Sequence, residues 1–69
     1  MKYKLIVDEG KPYEMEVTEE ELRKELKKIW EKVKAGDNNI DVRILNDKDK
    51  DITESQFLDE MIGEIQDEN

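Results

Sequence analysis

Three aspartates at alternating positions, Asp47, Asp49 and Asp51, are the part of this sequence that most resembles a metal site. In a calcium-binding loop, side chains at positions 1, 3 and 5 converge on one hard cation. The same loop needs glycine at position 6 and a bidentate glutamate at position 12, but Ile52 and Leu58 stand there. We therefore expect no specific metal and no cofactor, and we interpret the segment as a polar connector.

Two glutamates, Glu14 and Glu16, stand two positions apart, which would place them on one face of a strand. Their separation of about 7 Å suits an acid and base pair. General acid and base catalysis also needs carboxyl groups whose pKa values are separated by burial.

The chain has no histidine and no cysteine, so triads and zinc sites built on those residues are excluded. The sequence therefore predicts a protein that is not an enzyme.

Acidic residues dominate the second half of the chain. Residues 1–34 hold nine acidic and nine basic side chains, whereas residues 35–69 hold eleven acidic and three basic ones, and the net charge is -8. Such a charge distribution attracts basic partners and repels phosphate backbones. We expect Asp59, Glu60 and Glu64 to form a partner-binding acidic face for a basic protein surface, with no direct nucleic-acid binding. The alternative is a solvated helix face that keeps the protein soluble.

Alternating apolar and polar residues predict three strands, which cover about residues 2–7, 12–17 and 40–45. A three-residue loop at residues 8–10 would join the first two strands and pair Leu5 with Tyr13. One face of the resulting sheet is apolar. The opposite face is polar except for Ile6 and Leu45, which we expect to form a small apolar contact patch.

Apolar residues at helical spacing predict two helices, which cover about residues 19–35 and 54–66. Each begins with the capping-box pattern, in which a threonine is followed three residues later by glutamate or glutamine. The pairs are Thr18 with Glu21 and Thr53 with Gln56. Trp30 falls on the apolar stripe of the first helix, so we expect it to pack in the core.

A right-handed crossover through the first helix would place the third strand beside the first. The sequence therefore predicts an α+β fold, a two-layer ββαβα sandwich with sheet order 2-1-3 and both helices on one face. A chain of this length forms a single small domain, 1–69. Nearly all of its apolar residues are needed for that core, which leaves no room for a large ligand cavity.

The apolar run near the N-terminus is only Leu5 to Val7, followed by Asp8. A signal peptide or a membrane-spanning helix needs a much longer apolar segment. We expect a cytoplasmic protein that does not bind membranes and that is a monomer or a weak homodimer.

Over residues 1–41 the chain resembles the immunoglobulin-binding B domain of streptococcal protein G. The resemblance lies in the order of hairpin and helix and in three short strings, Tyr3-Lys4-Leu5-Ile6, Gly10-Lys11, and Asp37-Asn38 before Ile40-Asp41. That family ends in a second hairpin, where this chain has the predicted helix near Thr53. The family's antibody-contacting tryptophan would fall near Ile44, so the resemblance implies no binding residues here.

Three functional hypotheses remain from these observations. The first is a small acidic noncatalytic protein-interaction or scaffold module. The second is an acidic inhibitor that mimics nucleic acid and occupies the basic groove of a nucleic-acid-binding protein. The third is an artificial protein without natural function, indicated by the duplicated caps and the absence of cysteine and histidine. Gly63 inside a helix and three methionines argue against that third hypothesis.

Overall fold

The computed structural model describes residues 2–37 and 39–67, so that Met1, Asn38, Glu68 and Asn69 lie outside the described residues. Its elements in chain order are β1 (Lys2–Asp8), β2 (Pro12–Thr18), α1 (Glu19–Lys34), β3 (Asp41–Leu45) and α2 (Gln56–Asp67). The central strand β1 pairs antiparallel with both neighbours, which gives the order β2-β1-β3. The predicted α+β class, ββαβα order and sheet order are confirmed.

The sheet is apolar on one side because alternate residues of a strand point to the same face. Tyr3, Leu5 and Val7 of β1 are buried on that side, with Val17 of β2 and Ile44 of β3 beside them. Both helices pack on this face. Their buried contributions to the same core are Leu22 and Leu26 from α1, and Leu58, Met61 and Ile65 from α2.

The start of α2 is held against β1 by an aromatic pair. The ring centroids of Tyr3 and Phe57 lie 5.7 Å apart with an interplanar angle of 16°. Stacked aromatic pairs at such distances add about 0.5–1.5 kcal/mol to the effect of area burial. Together with Leu58, Met61 and Ile65 in the core, the pair holds α2 over the sheet.

The β1–β2 pairing differs by two residues from the predicted register. Leu5 pairs with Met15, whereas the sequence analysis paired it with Tyr13. The loop begins one residue later than predicted, and Asp8 Oδ1 accepts a hydrogen bond of 2.9 Å from Gly10 N. Gly10 has a φ of 116°, which glycine adopts without strain. A shift of two residues keeps each side chain on its face, so the predicted core face is right although the pairing is wrong.

The helix α1 has the predicted N-terminal cap. Thr18 Oγ1 accepts a hydrogen bond from Glu21 N at 3.3 Å, and Glu21 Oε1 accepts one from Thr18 N at 3.0 Å. The helix ends at Lys34, one residue before the predicted end. Gly36, with a φ of 104°, then turns the chain out of the helix.

The helix α2 begins at Gln56, two residues later than predicted, and Ser55 caps it instead of Thr53. Ser55 Oγ accepts a hydrogen bond of 3.3 Å from Leu58 N. The predicted capping box does not form, because the third helical residue is Leu58, whose apolar side chain cannot accept a hydrogen bond. The helix also extends one residue beyond the predicted end, to Asp67.

Thr53 has a different role, which explains why it does not cap α2. Its Oγ1 accepts a hydrogen bond of 2.9 Å from Ile44 N and donates one of 2.6 Å to Asp51 Oδ1. Ile44 O accepts a further bond of 2.8 Å from Ile52 N. Because β3 is an edge strand, its outward backbone groups need partners, and residues 51–53 supply them.

We predict that Ser55→Ala lowers the free energy of unfolding by about 1 kcal/mol, because the first turn of α2 loses its side-chain acceptor. Ser55 Oγ also donates a hydrogen bond of 2.7 Å to Ile52 O, so the matched control is Ser55→Thr, whose hydroxyl can both accept and donate and whose stability should be close to that of the unsubstituted protein. Chemical denaturation of the three proteins measures the difference. Equal stabilities for Ser55→Ala and Ser55→Thr would contradict the assigned cap.

We predict a pH dependence that arises from the α1 cap. Hydrogen bonds from Thr18, the backbone one being the stronger cause, hold the pKa of Glu21 below its ordinary value. Since the folded pKa is lowered, the stabilisation is fully present above the unfolded-state pKa and is lost as the pH falls through the folded-state pKa. The unsubstituted protein should therefore be more stable than Glu21→Gln at neutral pH, and the difference should shrink as the pH falls below the unfolded-state pKa and through the lowered folded-state pKa. Denaturation at several pH values tests this, and a pH-independent difference would contradict it.

Candidate functional site

A groove of about 280 Å³ lies between the first turns of α1 and the middle of α2. We call it the acidic groove. Two apolar side chains, one arginine and four glutamates line it: Phe57, Met61, Arg23, Glu19, Glu20, Glu60 and Glu64. Met61 is buried and Phe57 is half-buried against Tyr3, so the groove has an apolar base with charged groups around it.

Helical spacing explains how these carboxylates meet. Glu60 and Glu64 are four residues apart and therefore share one face of α2. Arg23 Nη1 of α1 lies 2.6 Å from Glu64 Oε2, and both side chains are exposed, so this ion pair contributes at most about 1 kcal/mol. Glu60 Oε1 accepts a hydrogen bond of 3.2 Å from Gln56 Nε2. Arg23 is the single basic side chain among the residues that line the groove.

The structure brings together two of the three residues predicted for the acidic face. Glu60 and Glu64 line the groove, whereas Asp59 is exposed in the first turn of α2 and is not part of the lining. The sequence analysis did not include Glu19 and Glu20 in the acidic face, although both line the groove. Their charge was visible in the sequence, but their approach to α2 depends on how the two helices pack.

The predicted apolar patch lies on the face of the sheet opposite the helices. Ile6 and Leu45 are both half-buried there. Ile6 stands opposite Glu14 on one side and Arg43 on the other, and Leu45 stands opposite Lys4. Charged side chains therefore separate and flank the two apolar residues, which limits the patch to a small area.

We call the face of the sheet opposite the helices the open face. On it, Lys4 connects β2 with the loop that follows β3. Its Nζ lies 3.3 Å from Glu14 Oε1 and 3.3 Å from Asp49 Oδ1. The hydrogen bond to Glu14, and next that to Asp49, raise the pKa of Lys4 above its ordinary value. Glu14 and Glu16 are both exposed, so neither has the burial that would make a carboxyl group a general acid.

The alternating aspartates do not converge on a common cation site. Asp49 contacts Lys4 and has a φ of 60°, while Asp51 accepts hydrogen bonds from Thr53. The Thr53 side chain, and then its backbone, lower the pKa of Asp51. Within residues 2–37 and 39–67, no group of three or more potential metal ligands is arranged to hold a metal ion.

A second depression, of about 170 Å³, lies between the second half of α1, β3 and α2. We call it the apolar cleft. Its lining consists of Leu26, Ile29, Trp30, Val33, Val42, Ile44, Thr53, Ile62, Ile65 and Gln66. Within the described residues, α1 packs against β1 and β2, and the cleft lies where its second half, β3 and α2 meet. Ile62, on the apolar face of α2, has 36% of its surface exposed at this cleft.

Trp30 lines the apolar cleft and packs against the core, as its position on the helical stripe predicts. Its Nε1 is buried and has no hydrogen-bond partner within the described part of the chain. A buried donor without a partner costs about 1–3 kcal/mol. The indole therefore stabilises the protein through its apolar area and not through its N–H.

Comparisons with known proteins do not identify a family. No family model matches the chain, and neither a curated protein nor a solved structure is significantly similar to it. They therefore do not support the resemblance to the immunoglobulin-binding domain. In the described residues, neither helix has the length and apolar character needed to cross a membrane.

We predict that Trp30→Phe changes the free energy of unfolding by less than about 1 kcal/mol, because the loss of apolar area is offset by removal of the unpaired N–H. Trp30→Ala should cost about 2–4 kcal/mol, since it leaves the ring's volume empty. Chemical denaturation followed by circular dichroism measures both. A loss for Trp30→Phe as large as that for Trp30→Ala would show that the N–H is paired.

Proposed function

We propose that this chain is a small noncatalytic protein-interaction module that binds a basic segment of a partner protein in the acidic groove. The observation that supports the proposal is the composition of that groove, in which four glutamates surround two apolar side chains. The exposed positions of Glu14 and Glu16 support a noncatalytic role.

The groove suits the chemistry of a lysine or arginine side chain. Such side chains have a long aliphatic stem and a charged end, and they bury the stem while the charge stays in a polar environment. Phe57 and Met61 offer apolar contact for the stem, and the phenyl ring also attracts a cation placed over its face. Glu19, Glu20 and Glu60 lie around them to accept hydrogen bonds from the charged end.

The charge of the whole protein favours the same kind of partner. The net charge is -8, and α2 has no lysine or arginine between Gln56 and Asp67. A surface with a single sign of charge increases the rate at which oppositely charged partners associate, and it repels nucleic acid. Binding through this surface should therefore weaken as salt is added.

We predict that the double variant Glu60→Gln and Glu64→Gln loses the partner proteins that the unsubstituted protein captures from a lysate. The matched control is Glu14→Gln with Glu16→Gln, which removes the same charge from the opposite side of the molecule. Capture at low salt and at about 0.5 M salt, followed by mass spectrometry, compares the three baits. Basic proteins should be retained by the control bait, lost from the groove variant, and released by salt.

Identical captured sets for all three baits would overturn the proposal, because binding would then not depend on the groove. Retention by the groove variant with loss from the control would place the interaction on the open face of the sheet and would overturn it as well. Release of the captured proteins by added DNA would support the proposal in its nucleic-acid-mimicking form, in which the groove carboxylates replace phosphates.

A further inference from the structure

We propose that the apolar cleft is a binding site for a small uncharged apolar molecule about the size of one six-membered ring. The site is separate from the acidic groove, since the two linings share no residue. The proposal therefore does not depend on the proposed function.

The volume of the cleft sets the size of the ligand. Ligand sites for drug-sized molecules occupy about 300–1,000 Å³. The apolar cleft holds about 170 Å³. An apolar cavity of about 150 Å³ lined by Leu, Ile and Phe binds benzene or xenon. A single ring or a short branched alkyl group therefore fits within the cleft.

The lining of the cleft sets the chemical class of the ligand. None of the ten lining side chains is ionisable, so a charged ligand would lose its hydration without gaining a counter-charge. Water at the base of the cleft is also poorly held, because the lining offers few polar groups and a buried water molecule needs two to four polar partners. The Thr53 hydroxyl is already engaged by Ile44 N and Asp51 Oδ1. An uncharged apolar molecule therefore displaces water at little cost.

The shape of the surface argues against a second copy of the chain as the occupant. A stable protein interface buries about 800 Å² on each partner. In the described part of the chain, the large apolar side chains classed as exposed are Ile62 at the cleft and Tyr13 on β2 at the far edge of the sheet. The cleft is therefore an isolated recess between α1, α2 and β3 and not part of a continuous apolar face.

Trp30 makes the proposal directly testable, because it is the only tryptophan in the chain and it lines the cleft. The experiment titrates the full chain with toluene and follows the tryptophan fluorescence together with the NMR signals of the Val42 and Ile62 methyl groups. Benzoate and benzylammonium, which carry a ring of the same size with a negative or positive charge, are the control ligands. Toluene should give a saturable response with a dissociation constant of about 1 mM or tighter.

Two protein variants test the location of the site. Val33→Phe fills the cleft from α1 and should weaken toluene binding at least tenfold, whereas Ile6→Phe adds a ring on the opposite face of the sheet and should leave binding unchanged. Circular dichroism shows whether each variant is folded. If Val33→Phe does not fold, Val33→Met fills less space and takes its place.

The absence of a saturable toluene response would overturn the proposal. Equal responses of Trp30 and of the Val42 and Ile62 methyl groups to the charged ligands would also overturn it, since the ligand class of the cleft would then be wrong. Methyl shifts that depend on protein concentration without any ligand would assign the cleft to a second copy of the chain. Methyl shifts with a captured partner protein but not with toluene would assign it to a partner side chain. Either outcome would overturn the proposal that the cleft binds a small molecule.

Discussion

The structure depends on one constraint, which is that a three-stranded sheet with a single apolar face must be covered by two short helices. Leu5, at the centre of the middle strand, is fully buried, and it shares a core with Leu22 of α1 and Leu58 of α2. Burial of apolar area contributes about 25 cal/mol for each Å² removed from water, so this shared core is the main source of stability in so small a chain. The position of each helix follows from the residues that it contributes to this shared core.

The acidic groove and the apolar cleft both follow from the way in which the two helices cover the sheet. Where α1 and α2 lie side by side, their outward residues are charged, and the packing brings Glu20 of one helix near Glu60 and Glu64 of the other in a single groove. Where the second half of α1, β3 and α2 meet, apolar side chains such as Val33 and Val42 line a recess. The same packing therefore separates a polar groove suited to a cationic side chain from an apolar recess suited to an uncharged molecule.

The sequence predicts those features that depend on local periodicity. Alternating strands, the helical stripes and the Thr18 cap each involve residues a few positions apart, and the crossover rule then orders the sheet. The predictions that failed depend on distant partners. Thr53 has the local pattern of a cap, but the edge of β3 needs its hydroxyl, so Ser55 caps α2 instead. The hairpin register was wrong because a shift of two residues preserves the apolar face, and periodicity cannot distinguish the two pairings. The apolar cleft is a gap between elements, which no local pattern encodes.

The claim that both helices share one face of the sheet is tested most directly by nuclear Overhauser contacts from the ring of Phe57. The structure predicts strong contacts between that ring and the ring of Tyr3, whose centroid is 5.7 Å away. It also predicts helical contacts within residues 56–67. A Phe57 ring without contacts to Tyr3, or an extended backbone after Ser55, would contradict the account and would remove both the acidic groove and the apolar cleft.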